Sequence, residues 1–234
     1  MEENNIEILC TRPLPDWLIE EAASSGVSIE IKSFIETEPI QTIEVQQEIE
    51  NALLQSAVVV FTSMNAVEAV ASQLDDQQPD WSIYCIGTAT KRFVAEHFGE
   101  GSIAATASDA SELAELIVEE GMADEVIFFC GDQRRDELPS ILNDARIEVD
   151  EIVVYQTIEI SHKLQKDYYG ILFFSPTAVR SFFKSNKAAN KTVLFAIGNT
   201  TAAEIKKYSS NKIIVSDEPG KENLVQKAVE YFNP

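Results

Sequence analysis

A chain of 234 residues with 45% hydrophobic and 9% aromatic content is not a disordered profile, and its length suits either two compact units or one large domain. Its 39 acidic against 18 basic residues leave a net charge of −21. Such a surface is soluble but repels phosphate backbones and anionic lipids, which counts against nucleic-acid and membrane-surface functions.

In chain order, the predicted strands begin with "IEILC" (6–10) and "VSIEIKSF" (27–34), then "AVVVFT" (57–62), "SIYCIG" (82–87) and "SIAAT" (102–106). They continue with "EVIFFCG" (125–131), "EVDEIVVYQT" (148–157), "GILFFS" (170–175), "TVLFAIG" (192–198) and "KIIVS" (212–216), ten in all. Several are continuous apolar runs, as expected of strands covered by helices on both faces. Between them lie helices with legible starts. Asp109-Ala-Ser-Glu112 reads as a capping box ahead of Leu113, Leu116 and Ile117, with Gly121 as a stop. Ser175-Pro176 places a cap before a first-turn proline. Strands alternating with helices predict parallel sheets and an α/β fold.

No apolar run approaches the roughly 20 residues of a membrane span. The opening "MEENNIEILC" lacks the order of a signal peptide, so a cytoplasmic protein is expected. Cys10, Cys85 and Cys130 each sit in an apolar run without a CxxC pair. They read as buried thiols in a reducing compartment. His97 and His162 are the two histidines, and no HExxH occurs, so no metal site is expected.

The chain writes one junction twice. "FTSMNAV" (61–67) returns as "FFSPTAV" (173–179), and "CIGTAT" (85–90) as "AIGNTT" (196–201). Leu113 and Leu224 follow at matching places, and the strand–helix–strand layout after Cys10 resembles the one after Cys130. The pieces therefore run two strands, three, two, three. A doubly wound five-strand sheet of order 2-1-3-4-5 needs one piece of each kind. Two assemblies satisfy this: two continuous lobes, or a lobe built from both chain ends with the middle five strands inserted as a second lobe.

Ligands of such sheets bind beyond the carboxyl ends of the strands. Thr62, Ser63, Thr88, Thr90, Ser175, Asn199, Thr200 and Thr201 all fall there. Helix N–H groups and small hydroxyls at these ends can hold anions without formal positive charge, although several of the residues need be no more than helix caps. Gly87 and Gly198 allow sharp turns but open neither a GxGxxG nor a Walker sequence, so neither a dinucleotide nor ATP is expected.

Cations near these ends are Arg12, Lys91, Arg92, Arg134, Arg135, Lys163 and Arg180. Arg12 is the best carboxylate clamp, and Arg134 and Arg135 read as solvated helix-start residues. Tyr155 is either a buried structural tyrosine or a proton-handling residue. No Ser-His-Asp triad, catalytic cysteine setting or paired-carboxylate motif emerges. The residues alone describe a two-lobed α/β protein that binds an anionic small molecule.

The ordered set "FTSMNAV", "IGTAT", "RRDELPSIL…VDEIVVYQT", "FFSPTAV" and "IGNTT" resembles uroporphyrinogen-III synthase, over nearly the whole chain from "ILCTRP" to "LVQKAVEYF". The resemblance implies two similar doubly wound parallel-sheet lobes, three-layer α/β/α with order 2-1-3-4-5, one inserted in the other. Lobe one would be 1–35 plus 169–234, lobe two 56–155, and the linkers about 36–55 and 156–168. It implies a cytoplasmic, cofactor-independent lyase of tetrapyrrole (haem) biosynthesis. Its substrate would be hydroxymethylbilane, a linear octacarboxylate, cyclised with loss of water and inversion of ring D.

Under that resemblance Tyr155 matches the family's tyrosine and assists departure of the hydroxyl. The binding set is Arg12, Thr62, Ser63, Gly87, Thr90, Ser175, Gly198 and Thr201. Lys91-Arg92 departs from the small residues usual after the first "G-x-x-T", whereas Ala202-Ala203 keeps them. The expected partner is the small-molecule substrate, with no nucleic acid and no membrane, acting on a monomer; a transient contact with the preceding pathway enzyme is left open. The alternatives are a non-enzymatic two-lobed module binding an anionic metabolite and, less favoured, a Rossmann-type enzyme.

Overall fold

A computed structural model describes residues 6–74, 77–121, 123–218 and 220–233. The chain opens with β1 (Ile6–Cys10), α1 (Asp16–Ser24), β2 (Val27–Ile31), β3 (Ile35–Pro39) and α2 (Ile43–Leu53). Next come β4 (Ala57–Phe61), α3 (Met64–Ala71), β5 (Trp81–Ile86), α4 (Gly87–Phe98), a 3-10 turn (Glu100–Ser102), β6 (Ile103–Ala107) and α5 (Ala110–Glu120). It continues through β7 (Glu125–Gly131), α6 (Glu137–Asp144), β8 (Glu148–Glu159) and β9 (Gly170–Phe173). It closes with α7 (Pro176–Ser185), β10 (Val193–Ala196), α8 (Asn199–Ile205), β11 (Ile213–Val215) and α9 (Lys221–Phe232).

The expected caps form at Ser175, whose Oγ accepts from Ala178 N–H (3.1 Å), and at Asp109. Ser63, named as a strand-end binding candidate, also caps its helix, its Oγ accepting from Asn65 N–H (3.2 Å). Asp109 Oδ1 accepts from Glu112 N–H (3.0 Å), but Glu112 reaches back to the N–H of Ser108 (2.7 Å), one residue before the cap. Gly121 ends α5 in the left-handed region (φ 59°), where glycine carries no Cβ penalty.

The chain forms two compact units, residues 1–36 with 158–234 and residues 37–157. In the first, the strand order is β2-β1-β9-β10-β11, every neighbouring pair parallel. That is the expected 2-1-3-4-5 order. Leu14, Leu18, Leu224 and Val225 of α1, α9 and the loop before α1 cover one face together with Ile8, Cys10 and Phe195. Val179, Phe182, Ala202 and Ile205 of α7 and α8 cover the other, with Leu9, Phe173 and Leu194.

The second unit holds a six-stranded sheet of order β3-β8-β7-β4-β5-β6. Its β8-β7-β4-β5-β6 core repeats the plan of the first sheet, entered by the chain at the central strand. The alternation of Val59 and Phe61 against Val60, and of Ile127 and Phe129 against Phe128, sends side chains to opposite faces. One face packs on α2, α3 and α4 and the other on α5 and α6. Both units are three-layer α/β/α.

The stretch 36–55, expected as a linker, holds most of β3 and all of α2. β3, "IETEP", was not among the ten expected strands because its exposed glutamates and proline resemble a loop. Such residues suit a sheet edge, and β3 is the edge neighbour of β8. α2 is capped by Thr42, whose hydroxyl accepts from Val45 N–H (3.4 Å), and buries Ile49, Ala52 and Leu53. The end of β8 and the residues after it are tied to α7 and its C-cap: Lys184 pairs with Glu159 (2.6 Å), Ser181 Oγ donates to Ile160 C=O (2.9 Å), and Asn186 Nδ2 donates to His162 C=O (2.6 Å). Among the described residues, no helix is long and apolar enough to cross a membrane.

Candidate active site

In a parallel sheet every strand delivers its carboxyl end, and the following helix its N-terminus, to one edge. In the second unit Phe61 pairs with Phe129 and with Cys85. Continuing these registers by two positions brings Ser63, Gly131 and Gly87 to one level along that edge. Thr62 and Ser63 are half-buried there, and Thr90 is buried in the first turn of α4. Gly87 has φ +76°, and a Cβ built on it meets nothing within 4 Å. The backbone requires glycine at that point and leaves the approach to the α4 N-terminus open.

Tyr155 joins this row through an irregularity. Along β7 and β8 the register pairs Cys130 with Val153 but Gly131 with Tyr155, so Val154 is the extra residue of a bulge. Bulges re-aim side chains, and here Val154 and Tyr155 both pack on the face covered by α2, α3 and α4. Regular alternation would have sent Tyr155 to the other face. Its ring lies directly over Gly131: a Cβ on that glycine would sit 2.4 Å from Cζ and 2.7 Å from the hydroxyl oxygen. Asp132 N–H donates to Tyr155 C=O (3.1 Å), and Asp132 Oδ1 accepts from Thr157 N–H (2.9 Å). Arg134 is bonded to Glu151 and Asp136. It is a tether of the turn to β8, not the solvated residue expected.

The edge of the first unit gathers Arg12, Ser175, Gly198 and Thr201. Cys10 and Phe195 both pair with Leu172, which puts Arg12, Ser175 and Gly198 within about a residue of one level. Gly198 has extended backbone (φ −172°) that any residue adopts, and a Cβ there meets nothing within 4 Å. The sharp turn expected of it belongs to Gly87 alone. Thr201 is buried in the first turn of α8, and Arg12 is exposed.

Beside Arg12 lies a cation that sequence reasoning missed. Lys221 opens α9, one turn before Leu224, which shares an apolar cluster with Cys10 and Leu14 on either side of Arg12. Burial, and then the Arg12 charge, lower the Lys221 ammonium from its ordinary value, with Glu222 opposing. No ion pair among the described residues engages Arg12 or Lys221. Other cations, such as Lys91 and Arg92, share that feature, and what sets this pair apart is that the two charges are close enough to act on each other at a sheet edge. In a chain with a large acidic surplus, two neighbouring cations that form no ion pair suit an anionic ligand.

The thiols offer no nucleophile. Burial pushes Cys10 up to about 12 and Cys130 up to about 11, and raises Cys85, so all three stay protonated near neutral pH. Among the described residues no group of three or more His, Cys, Asp or Glu side chains could hold a metal ion. A concavity of about 720 Å³ opens at the opposite, amino-terminal end of the second sheet, lined by Glu48, Asp80, Asp124, Glu125 and Asp150. Those carboxylates repel an anion, so it does not compete with the carboxyl edges.

The family model described as uroporphyrinogen-III synthase HemD matches residues 16–226. A uroporphyrinogen-III synthase from Saccharomyces cerevisiae is 24% identical over 208 residues, spanning 74% of this chain and 75% of that protein. Among solved structures, uroporphyrinogen-III synthetase from Helicobacter pylori aligns with a TM-score of 0.66 at 15% identity, over 97% of this chain and 99% of that one. A mutant uroporphyrinogen III synthase from the extremely thermophilic bacterium Thermus thermophilus aligns with a TM-score of 0.60 at 11% identity, over 97% and 98%.

Proposed function

The chain belongs to the uroporphyrinogen-III synthase family, and from that premise we propose how its own residues perform the dehydrative cyclisation of hydroxymethylbilane. The observation that carries the reading is the phenol of Tyr155, held over Gly131 at a carboxyl sheet edge whose own thiols, Cys85 and Cys130, are buried and protonated and leave no competing nucleophile.

The substrate's terminal hydroxyl leaves as water when a proton reaches it and a pyrrole nitrogen supplies electrons, forming an azafulvene cation. The substrate's own terminal pyrrole attacks that cation to give a spiro intermediate, which rearranges and closes the ring with ring D inverted. The proton spent on the hydroxyl is returned when the last pyrrole carbon to be bonded loses its hydrogen. The reaction needs orientation more than a strong nucleophile, and Tyr155 handles the proton at the hydroxyl.

For the acetate and propionate arms the second unit offers the helix N–H groups with Thr62, Ser63, Gly87 and Thr90, and the first unit offers its own with Ser175, Gly198 and Thr201. Arg12 and Lys221 share one carboxylate. As part of the same proposal the chain acts as a cytoplasmic monomer, without nucleic acid, membrane or cofactor.

The test supplies hydroxymethylbilane, oxidises the products and separates the porphyrin isomers. Dominant type III supports the reading. Dominant type I, the outcome without enzyme, overturns it in favour of a binding module. The double variant Arg12→Gln/Lys221→Gln is expected to raise KM about ten-fold or more, with kcat changed less than KM, because the pair supplies binding common to ground and transition states. Initial-rate kinetics check it; an unchanged KM removes both residues from the site.

A further inference from the structure

We infer that Asp132 is a positioning residue for Tyr155, clasping β8 on both sides of Gln156 and so holding the phenol over Gly131. The inference rests on the proposed role of Tyr155.

The clasp is made of two bonds from one residue. The N–H of Asp132 donates to the carbonyl of Tyr155 (3.1 Å), and its Oδ1 accepts from the N–H of Thr157 (2.9 Å). The turn that carries Asp132 is closed on itself, Arg134 N–H donating to Gly131 C=O (3.1 Å). It is also tethered to β8 by the bond from Arg134 to Glu151. A bulged strand is free to slip back into regular pairing unless something holds the extra residue in place. Asp132 does this where β8 leaves the end of β7, so the ring direction set by the bulge is kept.

The first unit shows the same turn put to another use. Cys10-Thr11-Arg12 corresponds to Cys130-Gly131-Asp132 in the repeat. There the Thr11 hydroxyl donates to Leu172 C=O (2.8 Å), and β2 pairs with β1 in regular register through Ile31. Glycine and aspartate in the second copy clear the space and clasp the strand that the tyrosine needs. Among the many positions at which the two copies differ, Gly131 and Asp132 are the two that build the post for Tyr155.

Asp132 is exposed, so water can satisfy the Thr157 N–H when the carboxylate is removed and stability changes little. The backbone bond from residue 132 to Tyr155 C=O stays, but the half of the clasp beyond Gln156 is lost, and β8 is held on one side of the bulge only. Asp132→Ala is expected to lower kcat about five- to ten-fold with KM within about two-fold, the scale of one lost hydrogen bond. Asp132→Asn, which keeps the Oδ1 acceptor, is expected within about two-fold of the parent. In a Tyr155→Phe background, Asp132→Ala is expected to cost little more, since both act on one phenol.

Steady-state kinetics on the parent, the three single variants and the double variant, with melting curves, make the test. An unchanged kcat in Asp132→Ala, an asparagine variant as slow as the alanine one, or full additivity with Tyr155→Phe overturns the inference. A Tyr155→Phe variant as fast as the parent overturns the reading of Tyr155 itself, and the inference with it. A slow Tyr155→Phe beside a fast Asp132→Ala sinks only the inference.

Discussion

Gly131→Val is expected to lower kcat by at least about ten-fold and to destabilise the protein by about 1–3 kcal/mol, the usual range for overpacking a filled site. Gly131 is buried, and the first carbon of any side chain there would lie 2.4 Å from Cζ, 2.6 Å from Cε2 and 2.7 Å from the hydroxyl oxygen of Tyr155. Real Cβ atoms do not approach so closely, so either the ring leaves or the bulge between β7 and β8 opens. Both outcomes move the phenol from the sheet edge. The loss should fall in kcat, since the proposed arm-binding residues are untouched, and kinetics with thermal melting separate the two effects. The double variant Gly131→Val/Tyr155→Ala should regain much of the lost stability, because the valine enters space the ring has vacated. A fully active Gly131→Val would show that the placement of Tyr155 is irrelevant to turnover.

Tyr155→Phe is expected to lower kcat about 100-fold, the lower end of what one positioned proton-transfer group contributes, with little change in melting temperature. Phenylalanine keeps the ring, and with it the packing against the apolar cluster of α2, α3 and α4. It deletes only the hydroxyl. A fall in kcat with KM nearly constant marks an interaction made in the transition state rather than in binding. Equal rates for the two proteins would remove Tyr155 from the chemistry and leave orientation by the sheet edges as the whole of catalysis.

Much of this site was legible before any coordinates. Strand β7 has the bounds that its apolar run predicts, and Asp109 and Ser175 cap the helices that follow them, as their local pattern implies. Those features depend on residues within a few positions of one another, so local chemistry is enough to read them. The candidate tyrosine was also named, but its partner was not. In "IFFCGDQRR" the glycine reads as an ordinary strand end. Its real duty depends on a register shift with a strand that begins at Glu148. Lys221 was missed for the same reason. It lies far along the chain from Arg12, and nothing local marks a lysine at a helix start as the neighbour of another cation.

What the sequence determined by itself is the alternation of strand and helix, the duplicated junctions and the sheet order they imply, because apolar periodicity and helix caps are properties of short windows. Tertiary structure alone decided that "IETEP" is a strand, that Val154 and Tyr155 share a face, that Gly131 must lack a side chain and that Arg12 gains a second cation. Each of these depends on which distant backbone lies alongside. Burial, strand register and the field of a neighbouring charge exist only once the chain has packed.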